Sequence, residues 1–136
     1  MTQSPLRVGM IGYGRIGQGV ALLLTERAPQ DDITMVGALV RDSTRVRSPG
    51  AVIVTTCSEL LARQPHVIVE AAGQRGLREH GPTALRAGID LIVVSVGAFA
   101  DPEVLQMFLE AAQTGNARLQ VVSGDRKSTR LNSSHG

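Results

Sequence analysis

Three glycines stand at a fixed spacing in Gly12-Tyr13-Gly14-Arg15-Ile16-Gly17, directly after the apolar run Leu6-Arg7-Val8-Gly9-Met10-Ile11. Strand, glycines and helix in that order are what a dinucleotide pyrophosphate requires. Gly12 permits a tight turn, Gly14 lets the backbone approach the phosphates, and Gly17 lets the helix pack close to the strand. A helix opening at Arg15 then offers unpaired N–H groups and a partial positive charge to the diphosphate. The same spacing also serves purely structural turns. The preceding strand, and the following helical run of Val20, Leu22, Leu23 and Leu24 up to Arg27, point to the nucleotide site.

A second strand should end with the group that reads the adenosine ribose, ordinarily an acid about 20 residues past the glycines. Here it ends Ala38-Leu39-Val40-Arg41-Asp42. Val40 occupies the expected acid position and Arg41 follows. An arginine there can pair with a 2′-phosphate, favouring NADP or dual use. With the register shifted by two, Asp42 is the ribose acid instead. The plainest alternative leaves both as solvated loop charges.

Other chemistry-bearing residues read more simply. Glu70 closes an apolar strand, where a carboxylate can accept N–H bonds from neighbouring loops; that structural role is favoured over a catalytic one. Cys57 precedes a predicted helix, a place where a thiol can be acidified, but a small buried residue is the commoner use. His66 follows Pro65 at a strand start and should be exposed. His80 lies beside Glu79 in a helix; a proton-transfer role is open to its residue type, but the position is away from the strand ends. No two histidines or acids show metal-ligand spacing, so no metal site is expected.

The elements that must position these groups alternate strand and helix, which predicts an α/β, doubly wound parallel sheet, the Rossmann fold. The strands are expected at 6–11, 33–40, 51–55, 66–70, 90–96 and 118–122. Helices are expected at 15–27, from 57 to about 63 behind a Thr56–Glu59 capping box, at 74–87, and from 102 to about 115. Pro29-Gln30-Asp31-Asp32 reads as a turn, residues 41–49 as a polar loop, and Gly81-Pro82 as a kink or break. Gly88 closes one helix; Asp101 with Pro102 opens the next. Ligands of such sheets lie at the carboxyl ends of the strands. Those ends supply 12–16, Val40-Arg41, Ala71-Ala72-Gly73, 95–98 and Ser123-Gly124.

Composition narrows the function classes. The chain has 136 residues, 43% of them hydrophobic but only 2% aromatic, which suits a core of Val, Ile, Leu and Ala between helices. Residues 1–124 balance eleven arginines against eleven acids; the net charge of +2 belongs to residues 125–136. With neither a basic stripe nor stacking aromatics, no nucleic-acid partner is expected. The longest apolar stretch, near Leu91–Ala100, falls far short of the ~20 residues of a membrane span, so no membrane partner is expected either. A single cysteine fits a reducing cytoplasm.

Residues 125–136, Asp125-Arg126-Lys127-Ser128-Thr129-Arg130-Leu131-Asn132-Ser133-Ser134-His135-Gly136, hold the only lysine and lack periodicity. They look like a translated sequencing-library adapter. The expectation is a dinucleotide-binding domain over 1–124, followed by a non-native or disordered tail. The sixth strand would then leave an open edge that invites association.

Glu70-Ala71-Ala72-Gly73-Gln74, Arg78-Glu79-His80-Gly81-Pro82, Ala87-Gly88-Ile89-Asp90-Leu91 and Ser95-Val96-Gly97-Ala98-Phe99-Ala100-Asp101 closely resemble the L-aspartate dehydrogenase family. The opening Val8–Gly17 segment agrees, so the likeness covers about residues 5–124. The resemblance implies NAD(P)-dependent oxidative deamination of L-aspartate to iminoaspartate, then to oxaloacetate and ammonia, or delivery of iminoaspartate to NAD biosynthesis. It implies that Gly12, Gly14, Arg15 and Ile16 cradle the pyrophosphate and that Ala71 and Ala72 line the ribose. Ser95, Gly97 and Ala98 would then sit near the nicotinamide.

After Ser123-Gly124 the family continues with an alanine and a second domain that carries its catalytic histidine, much of the aspartate pocket and most of the subunit interface. Here Asp125 follows instead. The expectation is therefore a cofactor-binding half whose second catalytic domain is missing, with no catalytic residue of its own and no turnover, from a homo-oligomeric parent. The alternatives are a homoserine-type dehydrogenase fragment and a stand-alone NAD(P)-binding sensor module.

Overall fold

A computed structural model describes residues 5–42, 52–122 and 128–131. The strands are β1 (Leu6–Ile11), β2 (Ile33–Leu39), β3 (Ile53–Val54), β4 (Val67–Glu70), β5 (Asp90–Val93), β6 (Leu119–Val122) and β7 (Ser128–Leu131). The helices are α1 (Arg15–Asp31), α2 (Cys57–Ala62), α3 (Gln74–Arg86) and α4 (Pro102–Gly115), with a 3₁₀ turn at Val96–Ala100. The sheet order is β3-β2-β1-β4-β5-β6-β7. The first six strands pair in parallel, as a doubly wound Rossmann-type sheet requires.

Strand β1 lies between β2 and β4, and the chain reverses its direction of winding there. Loops leaving β1 and β4 therefore diverge and open a crevice at their carboxyl ends. The pleat sends neighbouring residues to opposite faces, and Met10 and Ile11 accordingly join different cores. Ile11, Leu39, Ile68, Leu91, Val93 and Leu119 pack in one cluster with Leu60 of α2, Leu77 and Leu85 of α3 and Phe108 of α4. Met10 and Ala38 pack on the other face with Ala21 of α1, flanked by Tyr13, Val20 and Met35.

Several boundaries depart from the sequence reading. Helix α1 continues to Asp31, and Asp32 alone, at φ 54°, makes the reversal into β2. Aspartate tolerates the left-handed region, so no four-residue turn is needed. Helix α3 is continuous through Pro82. Gly81 and Pro82 are buried there, and a Cβ on Gly81 would collide with the Phe108 ring. That close approach of α3 to α4 supplies contact that a break would forfeit. Strand β5 ends at Val93: the Val94 N–H is shared between the carbonyl and the carboxylate of Glu70, at 3.2 and 3.1 Å, and the Ser95 N–H turns to the carboxylate.

The caps fall where expected. Thr56 accepts a bond from the Glu59 N–H at 3.1 Å, and Asp101 one from the Glu103 N–H at 2.9 Å ahead of Pro102. Gly88, at φ 85°, follows the end of α3. Of the polar loop over 41–49, only Arg41 and Asp42 are among the described residues. Strand β7 lies within the segment left out of the fold by the sequence reading. It pairs antiparallel with β6, from Leu119↔Leu131 to Val122↔Ser128, and covers the edge expected to be open.

Candidate dinucleotide site

The crevice is assembled from four strand ends. Ile11 sits opposite Leu39 of β2 and Glu70 of β4, and Glu70 in turn sits opposite Val93 of β5. At the first of these ends Gly12 takes φ 93°, and its N–H donates to the Leu39 carbonyl at 2.7 Å. A Cβ there would lie 2.7 Å from the Ala72 Cα and 2.9 Å from the Ala71 carbonyl oxygen. The turn thus fits against the β4 loop only without a side chain. Gly17 meets a similar limit, since its Cβ would come within 2.9 Å of the Gly12 carbonyl oxygen.

Gly14 differs from both. A Cβ on it would meet nothing within 4 Å, and its backbone is not left-handed. Among the described residues nothing demands glycine at this position, at the head of α1. The first turn of α1 contains no acidic residue. Arg15 and Ile16 are exposed beside it. Bare backbone, a helix N-terminus and a neighbouring guanidinium could together hold a diphosphate.

At the end of β2, Val40 is half-buried, its N–H held by the Val54 carbonyl at 2.9 Å, while Arg41 and Asp42 are exposed. Both charged residues stand just past the carboxyl end of β2.

The ends of β4 and β5 are tied by Glu70, which is fully buried. Its Oε2 accepts from the N–H groups of Ala72 at 3.0 Å and Gly73 at 3.1 Å; its Oε1 accepts from those of Val94 at 3.1 Å and Ser95 at 2.9 Å. The Gly73 N–H also reaches the Ser95 hydroxyl at 3.0 Å. This is the structural role expected of the carboxylate. Gly97 sits in the 3₁₀ turn so near the Gln74 side chain that a Cβ would lie 2.8 Å from its Nε2. Ala98 faces the core and is fully buried, so what it offers the crevice is backbone. The structure therefore draws Gly12, Gly14, Gly17, Ala71, Ala72, Ser95 and Gly97 to one rim. Ser123 and Gly124 lie outside the described residues.

Sequence reasoning placed Gly73 at a strand end without giving it a role, and gave Gln74 none. Gly73, at φ 90°, precedes α3 without a side-chain cap, and the Gln74 side chain packs across to the 3₁₀ turn. The signal for Gly73 was its place just past a strand end; for Gln74 there was none in the residue type.

The remaining chemical candidates are structural. Burial pushes the Cys57 thiol above its ordinary value of 9.0, the reverse of an activated nucleophile. His66 is exposed, and its Nδ1 accepts from the Arg7 N–H at 2.9 Å. His80 faces Glu79, Nε2 to Oε2, at 3.6 Å. Among the described residues no cluster of His, Cys, Asp or Glu could hold a metal ion, and no helix is long and apolar enough to cross a membrane.

Comparison with known proteins agrees with this geometry. Residues 12–122 match the family described as "Homoserine dehydrogenase, NAD binding domain". The chain is 43% identical over 122 residues to L-aspartate dehydrogenase 1 of Bordetella parapertussis, covering 89% of this chain and 46% of that protein. It thus spans about half the length of the curated relatives it matches. Among solved structures, aspartate dehydrogenase from Thermotoga maritima superposes with a TM-score of 0.64 at 21% identity, covering 88% of this chain and 48% of that one. The WlbA dehydrogenase from Bordetella pertussis, in complex with NADH and UDP-GlcNAcA, superposes with a TM-score of 0.76 at 20% identity, covering 90% of this chain and 38% of that one. At these identities the structures speak for the fold, and the resemblance to aspartate dehydrogenases rests on sequence.

Proposed function

We propose, for a chain that belongs to the homoserine dehydrogenase NAD-binding-domain family, that it is the cofactor-binding half of a dehydrogenase acting on L-aspartate. The cofactor is NAD or NADP. The observation that carries the site is Gly14: glycine opens α1 where nothing among the described residues excludes a side chain, beside a first helical turn without an acidic residue. When bound, the nicotinamide accepts hydride from the substrate. The chain's own work is positional. Gly12, Gly14, Gly17, Arg15 and Ile16 take the diphosphate, Val40 and Arg41 the adenosine ribose, Ala71 and Ala72 the second ribose, and Ser95, Gly97 and Ala98 the nicotinamide end.

Oxidative deamination also needs a proton acceptor and a carboxylate-binding pocket. Because the chain spans about half the length of its curated relatives, we infer that these groups, and turnover with them, belong to a longer, homo-oligomeric parent. The 43% identity favours aspartate as the parent's substrate, while the family description keeps a homoserine-type reaction as the second reading.

Titration of the 136-residue chain with NADH and NADPH, followed by nucleotide fluorescence, should show saturable binding without aspartate-dependent NADH formation. A folded chain, shown as such by circular dichroism, that binds neither nucleotide would overturn the cofactor assignment. Aspartate-dependent NADH formation would overturn its incompleteness.

A further inference from the structure

Glu70 is the one buried charged side chain among the described residues, and binding of a diphosphate makes no use of it. Its four hydrogen bonds all come from backbone N–H donors, two to each carboxylate oxygen. They do not belong to one loop. Two come from the residues leaving β4, and two from those leaving β5, about 24 positions further along the chain. The Ser95 hydroxyl, itself placed by the Glu70 bond to the Ser95 N–H, closes the circuit by accepting from Gly73.

We infer that Glu70 is a positioning residue for the nicotinamide half of the cofactor: one carboxylate fixes the separation of the β4 and β5 loops between which that half is received. The inference rests on the dinucleotide reading above and deepens it. Among the described residues the carboxylate makes no hydrogen bond to the glycine turn itself, which meets the β4 end through the pairing of Ile11 with Glu70 and through packing on Ala71 and Ala72. The diphosphate and adenosine end therefore depends on the carboxylate less directly than the nicotinamide end does. Losing the carboxylate should therefore impair two parts of one ligand unequally. Glutamine at this position keeps the shape but turns an N–H₂ toward two of the four donors, releasing one loop.

The test compares NADH with ADP, which carries the adenosine and diphosphate but lacks the second ribose and nicotinamide. In the full chain, Glu70→Gln should weaken NADH about tenfold while changing ADP less than about twofold, where tenfold corresponds to ~1.4 kcal/mol. Equal weakening of both ligands, or of neither, overturns the inference. Should the variant not fold, amide hydrogen exchange on the unsubstituted chain decides. The N–H groups of Ala72, Gly73, Val94 and Ser95 should gain protection together with NADH and not with ADP. Equal protection by both, or protection of one loop alone, overturns it. Failure of the unsubstituted chain to bind either nucleotide counts instead against the dinucleotide site itself.

Discussion

At the end of β1 the chain makes room by omitting side chains; at the end of the adjacent strand β4 it fills the room with a buried carboxylate. The two strand ends are hydrogen-bonded neighbours, Ile11 opposite Glu70, yet they build their halves of the crevice by different physics. Around Gly12 the constraint is repulsive. Contact distances to Ala71 and Ala72 leave no space for a Cβ, and the backbone angle disfavours one. Around Glu70 the constraint is attractive, and it holds only while all four donors are satisfied. The steric half forbids added volume in the chain; the hydrogen-bonded half forbids the loss of an acceptor.

Breaking the steric half at its tightest point should have the largest effect. Gly12→Ala combines a left-handed backbone with backbone collisions and should cost roughly 4 kcal/mol, measured by urea unfolding. A loss below about 1 kcal/mol would show that the β4 loop yields easily and that the contrast is overstated. Breaking the attractive half comes next. Glu70→Gln should lower stability by roughly 2 kcal/mol in the same measurement. Whichever oxygen is replaced, one N–H donor, that of Ala72 or of Ser95, loses its acceptor, while Gly73 keeps the Ser95 hydroxyl and Val94 the Glu70 carbonyl. If the change proves neutral, water or loop movement replaces the carboxylate, and the two halves differ less than their geometry implies. The smallest effect on stability, and the sharpest on the comparison, belongs to Gly14→Ala. With open space around the new methyl and an ordinary backbone, unfolding should shift by less than about 0.5 kcal/mol. The methyl would nonetheless stand where the diphosphate approaches, and NADH affinity should fall about tenfold, ~1.4 kcal/mol. Unchanged affinity would mean that the ligand does not approach there.

This contrast also explains what could be read from residues alone. Glycine spacing reports an excluded volume, so the turn at Gly12, the helix from Arg15 and the parallel α/β sheet were legible, as were the caps at Thr56 and Asp101. Helix ends were less so, because a single left-handed Asp32 can replace a four-residue turn and tertiary contact at Phe108 can carry α3 through Pro82. The length of β5 was not legible at all. The strand ends where the Val94 and Ser95 N–H groups meet a carboxylate far away in sequence. Strand β7 escaped notice because a polar stretch of mixed composition carries no periodic signature, yet its backbone can still pair with an available edge. The roles of Val40 and Arg41 stay tied to the ligand, since neither is fixed by a partner in a way that distinguishes one ribose chemistry from another.

The central place of β1 has a bearing on how the molecule is made. Its residues are made before those of both its neighbours, but one flank finds no partner until residues 67–70 have been synthesised. The wall that Gly12 leans on, Ala71 and Ala72, arrives later still. A nascent chain that already carries the whole glycine motif therefore cannot pack its turn until about sixty further residues have emerged, as expected of a pairing that is distant in sequence.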